Sequence, residues 1–229
     1  MILASHQPNF FPYMGYFYKI AKSDLFVFSD DVKFSNSKTG DMHNYNYIKG
    51  PNGKQKITMP VSRPSNALMS DVRVCYDEKQ IRGILVAVKQ YYGKAPFFDE
   101  VYEDFRFAFE ALFDLHDIRL VDFNRLAITR FCRKFGIETE MKWSPGFSVK
   151  KNARLVEMCK HFGADAYLCG SGAADYIDEA EFEAAGIKLV RSGYAPPVYP
   201  QRYGDFVPNL SVLDWIFNMG YALPEGWLK

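Results

Sequence analysis

The first 31 residues constrain the fold more than any other part of the chain, because they alternate short apolar runs with a polar loop and a helical repeat. Residues 1–5 (MILAS) have the composition of a short buried strand, which His6-Gln7-Pro8-Asn9 ends because proline cannot donate to a strand ladder. From Pro12 onward apolar residues recur at helical spacing, and residues 25–28 form a second apolar run. A strand, a loop, a helix and a strand predict a parallel unit. Its polar loop should lie at the carboxyl end of the first strand, where open α/β sheets bind ligands.

This loop carries several side chains that are suited to ligand binding. An imidazole, two carboxamides and a phenol come from His6, Gln7, Asn9 and Tyr13. Asp30 or Asp31, after the next strand, should face the same crevice. The alternative is that His6 and Asn9 only hold a tight turn together, which is the better interpretation of a lone histidine. Four clustered polar groups after a strand favour a binding site.

A second strand-to-turn junction lies near residue 170. Residues 165–169 have the pattern of a buried strand, and Gly170-Ser171-Gly172 follows it, with Tyr176 shortly after. Glycines allow close backbone approach to a ligand, and successive N–H groups at a turn can hold an anion. The spacing fits neither a Walker loop nor a dinucleotide-binding fingerprint. Cys169 could serve as a thiol nucleophile only beside a base, so a buried packing role is favoured.

Composition limits the classes of function that this chain can serve. Of 229 residues, 48% are hydrophobic and 17% aromatic, which is sufficient for a large core, and the net charge of +1 argues against nucleic acid as a partner. We see no charged and apolar leader and no run long enough to cross a bilayer, so we expect a cytoplasmic protein without membrane contacts. The four cysteines show no paired spacing, and no metal-ligand constellation stands out.

The remaining segments complete an α/β plan. Residues 44–48 and 56–61 predict a small β-hairpin around Pro51-Asn52-Gly53, and residues 77–136 have mainly helical periodicity. We therefore predict one domain over residues 1–229. Its architecture should be a Rossmann-like, open, mainly parallel sheet flanked by helices, with a helical insertion and the small hairpin.

Several motifs resemble those of a known family. The run from His6 to Ile20 closely resembles the opening motif of the WbqC-like family, and residues 26–34, 56–61 and 151–187 are also similar to it. Family members occur with genes for surface polysaccharides such as O-antigen. The resemblance implies transfer of glycine or a related acyl group onto a sugar. Further candidate binding residues lie in matching stretches, namely Asn44, Asn46, Tyr199, Gln201, Asn209 and Asp214.

Three functions remain open from the sequence. In the first, an acyl or aminoacyl transferase acts on a nucleotide-linked amino sugar, with His6 as general base, Asp30 or Asp31 orienting it, and Gly170–Gly172 stabilising the oxyanion. This hypothesis leaves open whether the acyl donor is free or bound to a carrier, and no cofactor is indicated. In the second, the protein binds a sugar nucleotide or a partner without chemistry. The third is nucleotidyl transfer, from a fainter similarity to pantothenate synthetase-type ligases, whose second histidine is missing here.

Overall fold

The computed structural model describes residues 1–35, 42–75, 77–114, 117–170 and 177–228. Within these ranges a five-stranded parallel sheet forms the centre of the molecule. Its strands are β1 (Ile2–His6), β2 (Leu25–Phe28), β7 (Glu140–Trp143), β8 (Ala166–Cys169) and β9 (Lys188–Arg191). The helices are α1 (Met14–Ala21), α2 (Glu78–Tyr92), α3 (Phe98–Asp114), α4 (Leu120–Lys134), α5 (Lys151–Phe162), α6 (Glu179–Ala184) and α7 (Val212–Met219).

The order of strands across the sheet is β7-β2-β1-β8-β9. The chain begins at β1 in the centre, moves outward through β2 to β7 on one side, and then returns to build β8 and β9 on the other. The direction of travel therefore reverses between β1 and β8. In open α/β sheets this reversal leaves a crevice at the carboxyl ends of the two strands, where ligands bind.

The two central strands separate early. β1 pairs with β8 through only Ile2 with Ala166 and Leu3 with Tyr167. On its other side β1 pairs with β2 over four residues, from Leu3 to His6. The carboxyl halves of β1 and β8 are therefore not bridged by a ladder, and an opening begins at Ser5.

Two apolar layers cover the sheet. Alternate residues of β1 point to opposite faces, so Ala4 joins a large core with α1, α4 and α7, while Leu3 joins a smaller core with α5 and α6. Both faces of a parallel sheet must be covered in this way, since each is apolar. Consequently the polar groups of β1 are confined to its carboxyl end.

The fold predicted from the sequence is confirmed: the protein is α/β, with a parallel sheet flanked by helices and a small antiparallel hairpin. The hairpin consists of β3 (Tyr45–Gly50) and β4 (Gly53–Thr58), so its second strand ends three residues before the predicted limit. A short pair, β5 (Val61–Ser62) and β6 (Arg73–Val74), follows it. The helical insertion is α2 to α4. Among the described residues, no helix has the length and hydrophobicity needed to cross a membrane.

Candidate functional site

A cavity of about 490 Å³ opens where β1 and β8 separate. Its volume lies within the range of small-molecule sites. Residues from the carboxyl ends of three strands, from α1 and from the start of α5 line it. They are Ser5, His6, Gln7, Lys19, Ser29, Val32, Lys151, Asn152, Arg154, Leu155, Tyr167, Cys169 and Ile177.

The separation of the strands is bridged by side chains. The Ser5 and Tyr167 hydroxyl oxygens are 2.9 Å apart, within hydrogen-bond distance. Lys19 Nζ donates to the Ser5 carbonyl at 2.9 Å and lies 5.7 Å from the centre of the Tyr167 ring. A main-chain carbonyl beyond the last paired residue needs another donor. The Lys19 ammonium supplies that donor from α1, and so lies inside the cavity.

The position of Lys19 alters its proton affinity. Burial lowers the pKa of the Lys19 ammonium to about 8, and the nearby Cys169 thiol opposes this shift. No carboxylate among the described residues forms an ion pair with Lys19. At neutral pH most of the population still carries the proton. The cavity therefore contains a positive charge that the described residues do not neutralise.

His6 lines the cavity at the end of β1 and is held by two neighbouring groups. Its Nδ1 is 3.0 Å from the Gln7 carbonyl oxygen, which also accepts a hydrogen bond from the Tyr16 hydroxyl at 3.0 Å. The Tyr16 ring packs edge-on against the imidazole, 5.0 Å between centres. When Nδ1 carries the proton and donates to Gln7, Nε2 has the lone pair that a general base requires.

The two aspartates after β2, Asp30 and Asp31, have different neighbours. Asp31 forms a partly buried ion pair with Arg154, and also accepts a hydrogen bond from the Phe147 main-chain N–H at 3.3 Å. Burial raises the pKa of Asp30, whose charged neighbours include Asp31 and Arg119. Asp31 is paired with Arg154, which lines the cavity. Asp30 is instead close to Arg119 at the start of α4, whose positive charge lowers the Asp30 pKa and so opposes the effect of burial. The role of either aspartate in orienting His6 stays a prediction.

The far wall comes from β8 and the start of α5. Cys169 lines the cavity and is 1% exposed, and burial raises the pKa of its thiol. Gly170 follows it directly. Ser171, Gly172 and Tyr176 lie outside the described residues. His6 and Cys169, from junctions that are far apart in the sequence, thus line one cavity.

The side-chain amides of Asn44 and Asn46, in and beside the hairpin, donate hydrogen bonds to main-chain carbonyls. Asn46 is fully buried and donates to the carbonyls of Phe10 and Phe11 at 3.1 and 2.7 Å, while its oxygen accepts from the Tyr47 N–H. Asn44 donates to the Met59 carbonyl at 2.9 Å. The Asn46 contacts fasten the loop after β1 to β3, whereas the Asn44 contact joins the two ends of the hairpin. We therefore assign Asn46 to positioning this loop.

Four other candidates belong to two clusters that do not line the cavity. Asp214 is fully buried and accepts hydrogen bonds from the Tyr92 and Tyr199 hydroxyls at 2.6 and 2.8 Å. Gln201 accepts one from Lys49 Nζ at 3.1 Å. Asn209 lies 3.3 Å from the Tyr194 hydroxyl.

The remaining two loop candidates also lie outside the cavity lining. Tyr13 packs against the Tyr194 ring, 5.8 Å between centres. Asn9 is buried, and its Oδ1 has no hydrogen-bond partner among the described residues.

Sequence reasoning missed three charged residues of the site. Lys19, Lys151 and Arg154 are not among the residues that the sequence indicates as candidates. A partial signal exists, because a helix that follows a parallel strand begins at the carboxyl edge of the sheet. Lys151 and Arg154 are in the first turn of such a helix, whereas the sequence gives no comparable signal for Lys19.

The fold and the cavity together define an α/β protein with a cavity, lined by polar and apolar side chains, at the reversal point of a parallel sheet. The model of the WbqC-like protein family matches residues 7–224, and the chain belongs to this family. It is also 29% identical, over 235 residues, to the uncharacterized protein Rv1507c of Mycobacterium tuberculosis (strain ATCC 25618 / H37Rv). That match covers 96% of this chain and 94% of the relative. No solved structure gives a significant match.

Proposed function

We propose that this protein transfers glycine or a related acyl group onto the amine of a nucleotide-linked sugar, as a cytoplasmic step in surface-polysaccharide synthesis. The observation that carries the proposal is the position of His6 in a cavity of about 490 Å³ at the reversal point of the sheet. A sugar and a short acyl group fit a cavity of this size.

In this reaction His6 acts as the general base. Its Nε2 takes a proton from the neutral sugar amine as the amine nitrogen attacks the acyl carbonyl carbon. A carbon–nitrogen bond forms, the bond from the acyl carbon to its carrier breaks, and the imidazolium returns the proton to the leaving group. Hydrogen bonding of Nδ1 to the Gln7 carbonyl keeps the basic nitrogen directed away from the main chain.

The oxyanion of the tetrahedral intermediate needs donors on the side opposite the base. In this proposal, main-chain N–H groups from Gly170 onward provide them, and Arg154 and Lys19 add positive charge to the same cavity. The Asp31–Arg154 pair fixes the guanidinium at the end of β2.

The test is direct detection of the product. Uridine diphosphate amino sugars are incubated with glycyl and acyl thioesters, and mass spectrometry follows the mass gain on the sugar. His6→Ala should lower the rate by roughly 10²- to 10⁴-fold. His161→Ala is the matched control, because this exposed histidine at the end of α5 contacts only the rings of Phe147 and Phe162 among the described residues.

Two results would count against the proposal. Near-normal turnover by His6→Ala would remove the imidazole from the mechanism. Ligand binding without any acyl product across the donor series would favour a non-catalytic sugar-nucleotide-binding protein.

A further inference from the structure

The cavity has an excess of positive charge. Lys19, Lys151 and Arg154 line it, and of the carboxylates in the described residues only Asp31 is paired with one of them. Two cations of the lining are therefore left without an acidic partner in this part of the chain. Lys151 is exposed to solvent, whereas Lys19 is desolvated by burial, so holding its unpaired charge in the cavity is unfavourable and a bound anion would relieve that cost.

The start of α5 adds partial positive charge at the same place. Lys150, at the N-cap position, makes no side-chain capping bond, and the first turn has no acidic residue. Residues 151, 152 and 154 of this turn line the cavity. The orphan N–H groups of a helix start favour anions.

Arg154 places a second, fixed cation at the cavity. The residue is 9% exposed and lines the cavity. Its Nη atoms are oriented by Asp31, Ser29 and Ser144. A guanidinium held in one orientation binds an anion with little further loss of side-chain entropy.

We propose that Lys19, Arg154 and the start of α5 form a phosphoryl-binding subsite that holds the diphosphate of a nucleotide-linked sugar. This assignment rests on the proposed function, since it names the substrate group that occupies the cavity beside His6. The charge balance favours a diphosphate over free glycine. The two unpaired cations, Lys19 and Lys151, match the two negative charges of a diphosphate, whereas zwitterionic glycine has a net charge of zero.

Lys19 should couple anion binding to protonation. Tyr167 and Cys169 lie beside it, and the other titratable or charged residues of the cavity lining are His6, Lys151 and Arg154. A bound anion favours the ammonium and raises the Lys19 pKa above its value in the empty site. The affinity that Lys19 contributes is therefore complete below about pH 8 and is lost as the pH rises above it.

Calorimetric titration with inorganic pyrophosphate tests the subsite without requiring turnover. Lys19→Met should weaken binding by about tenfold to a hundredfold, the usual range for a hydrogen bond to a charged group. Lys22→Met is the matched control on the same helix, because its ammonium donates to the Gly226 carbonyl outside the cavity. It should bind pyrophosphate as the parent protein does, and thermal unfolding of both variants verifies that they fold.

A pH series distinguishes Lys19 from general surface charge. Sulfate is the probe, since its own charge is constant over this range. The parent protein should lose about tenfold in sulfate affinity between about pH 7 and pH 9, whereas Lys19→Arg should bind with little change because guanidinium does not titrate there.

The outcomes separate this subsite from the transferase proposal. Equal pyrophosphate affinity for Lys19→Met and the parent, or no binding of either probe by the parent at millimolar concentration, would overturn the subsite even if acyl transfer by His6 were observed. Pyrophosphate binding that depends on Lys19, with no acyl product, would support the subsite and count against the transferase.

Discussion

The Tyr92 hydroxyl donates a 2.6 Å hydrogen bond to Oδ1 of Asp214, and both side chains are completely buried. The same hydroxyl oxygen accepts a 2.8 Å hydrogen bond from the Lys49 main-chain N–H. Tyr199 supplies the second donor to the carboxylate. Burial raises the pKa of Asp214, although these hydroxyls and Lys49 partly offset that effect. Through these hydrogen bonds, the Tyr92 hydroxyl links α2 to α7 and to β3 in the core.

Tyr92→Phe should lower the free energy of unfolding by about 2–3 kcal/mol. The change removes a donor from a buried carboxyl group and leaves the Lys49 N–H without an acceptor, and unsatisfied buried groups cost that much. Urea denaturation measures the difference. Tyr91→Phe is the control, since the Tyr91 hydroxyl makes no hydrogen bond within the described residues, and it should change stability by less than about 0.5 kcal/mol. Equal losses in the two variants would contradict the role assigned to Tyr92.

Sequence reasoning predicted the elements that depend on local patterns. The opening strand, helix and strand were visible because periodicity and proline positions act over a few residues. The sequence also indicated Asp214, but as a candidate binding residue. Its actual partner, Tyr92, is 122 residues away, and no local pattern reports such a contact.

The candidate site could be predicted only in part for the same reason. His6 and Gln7 follow a strand that the sequence revealed, so their place at the carboxyl edge was expected. Lys19 enters the cavity because β1 and β8 stop pairing after two residues. Strand order and the point at which β1 and β8 separate are tertiary properties. The helical pattern of α1 alone therefore does not distinguish Lys19 from any other lysine near a helix end.

Gly15→Ala should destabilise the protein by about 1–3 kcal/mol through overpacking. A Cβ at this position would lie 2.3 Å from Tyr13 Cε2 and 2.8 Å from Tyr194 Cε1, so at least one ring must move. Gly83→Ala in α2 is the matched control, because, apart from the backbone of α2 itself and the two chain neighbours, no atom of the described residues lies within 4 Å of its Cβ position. Without a clash, alanine should stabilise that helix by about 0.5–1 kcal/mol. If both variants were more stable than the parent protein, the rings of Tyr13 and Tyr194 would move aside at little energetic cost, contrary to this prediction.

Cys169 should react slowly with thiol reagents despite lining the cavity. Its side chain is 1% exposed and burial raises the pKa of its thiol, so little reactive thiolate is present at neutral pH. Cys75 is exposed and provides the internal comparison. Iodoacetamide labelling of the native protein, read by peptide mass spectrometry, should modify Cys75 first. Labelling of Cys169 at the rate of Cys75, together with loss of turnover in Cys169→Ala, would instead indicate a nucleophile.

Asp104 should make stability depend on acid pH. Burial alone would raise its pKa, but hydrogen bonds from Lys134, Arg130 and Tyr221 outweigh burial and lower it. The Lys134 and Tyr221 donors lie 2.8 and 2.9 Å from the carboxylate. A carboxyl group with a lowered folded pKa contributes stability that is complete above the unfolded value of about 3.9. That contribution is lost as the pH falls through the folded pKa.

Asp104→Asn should therefore lower the free energy of unfolding by about 1–3 kcal/mol at neutral pH, because a neutral amide makes weaker bonds to Arg130 and Lys134. The difference from the parent protein should shrink as the pH falls below about 4, where the parent carboxylate itself becomes protonated. Urea denaturation at several pH values measures it. Asp117→Asn is the control, since Asp117 forms an exposed pair with Arg73 and should contribute little at any pH. A difference that stays constant down to strongly acidic pH would show that Asp104 stabilises the fold by packing and not by its charge.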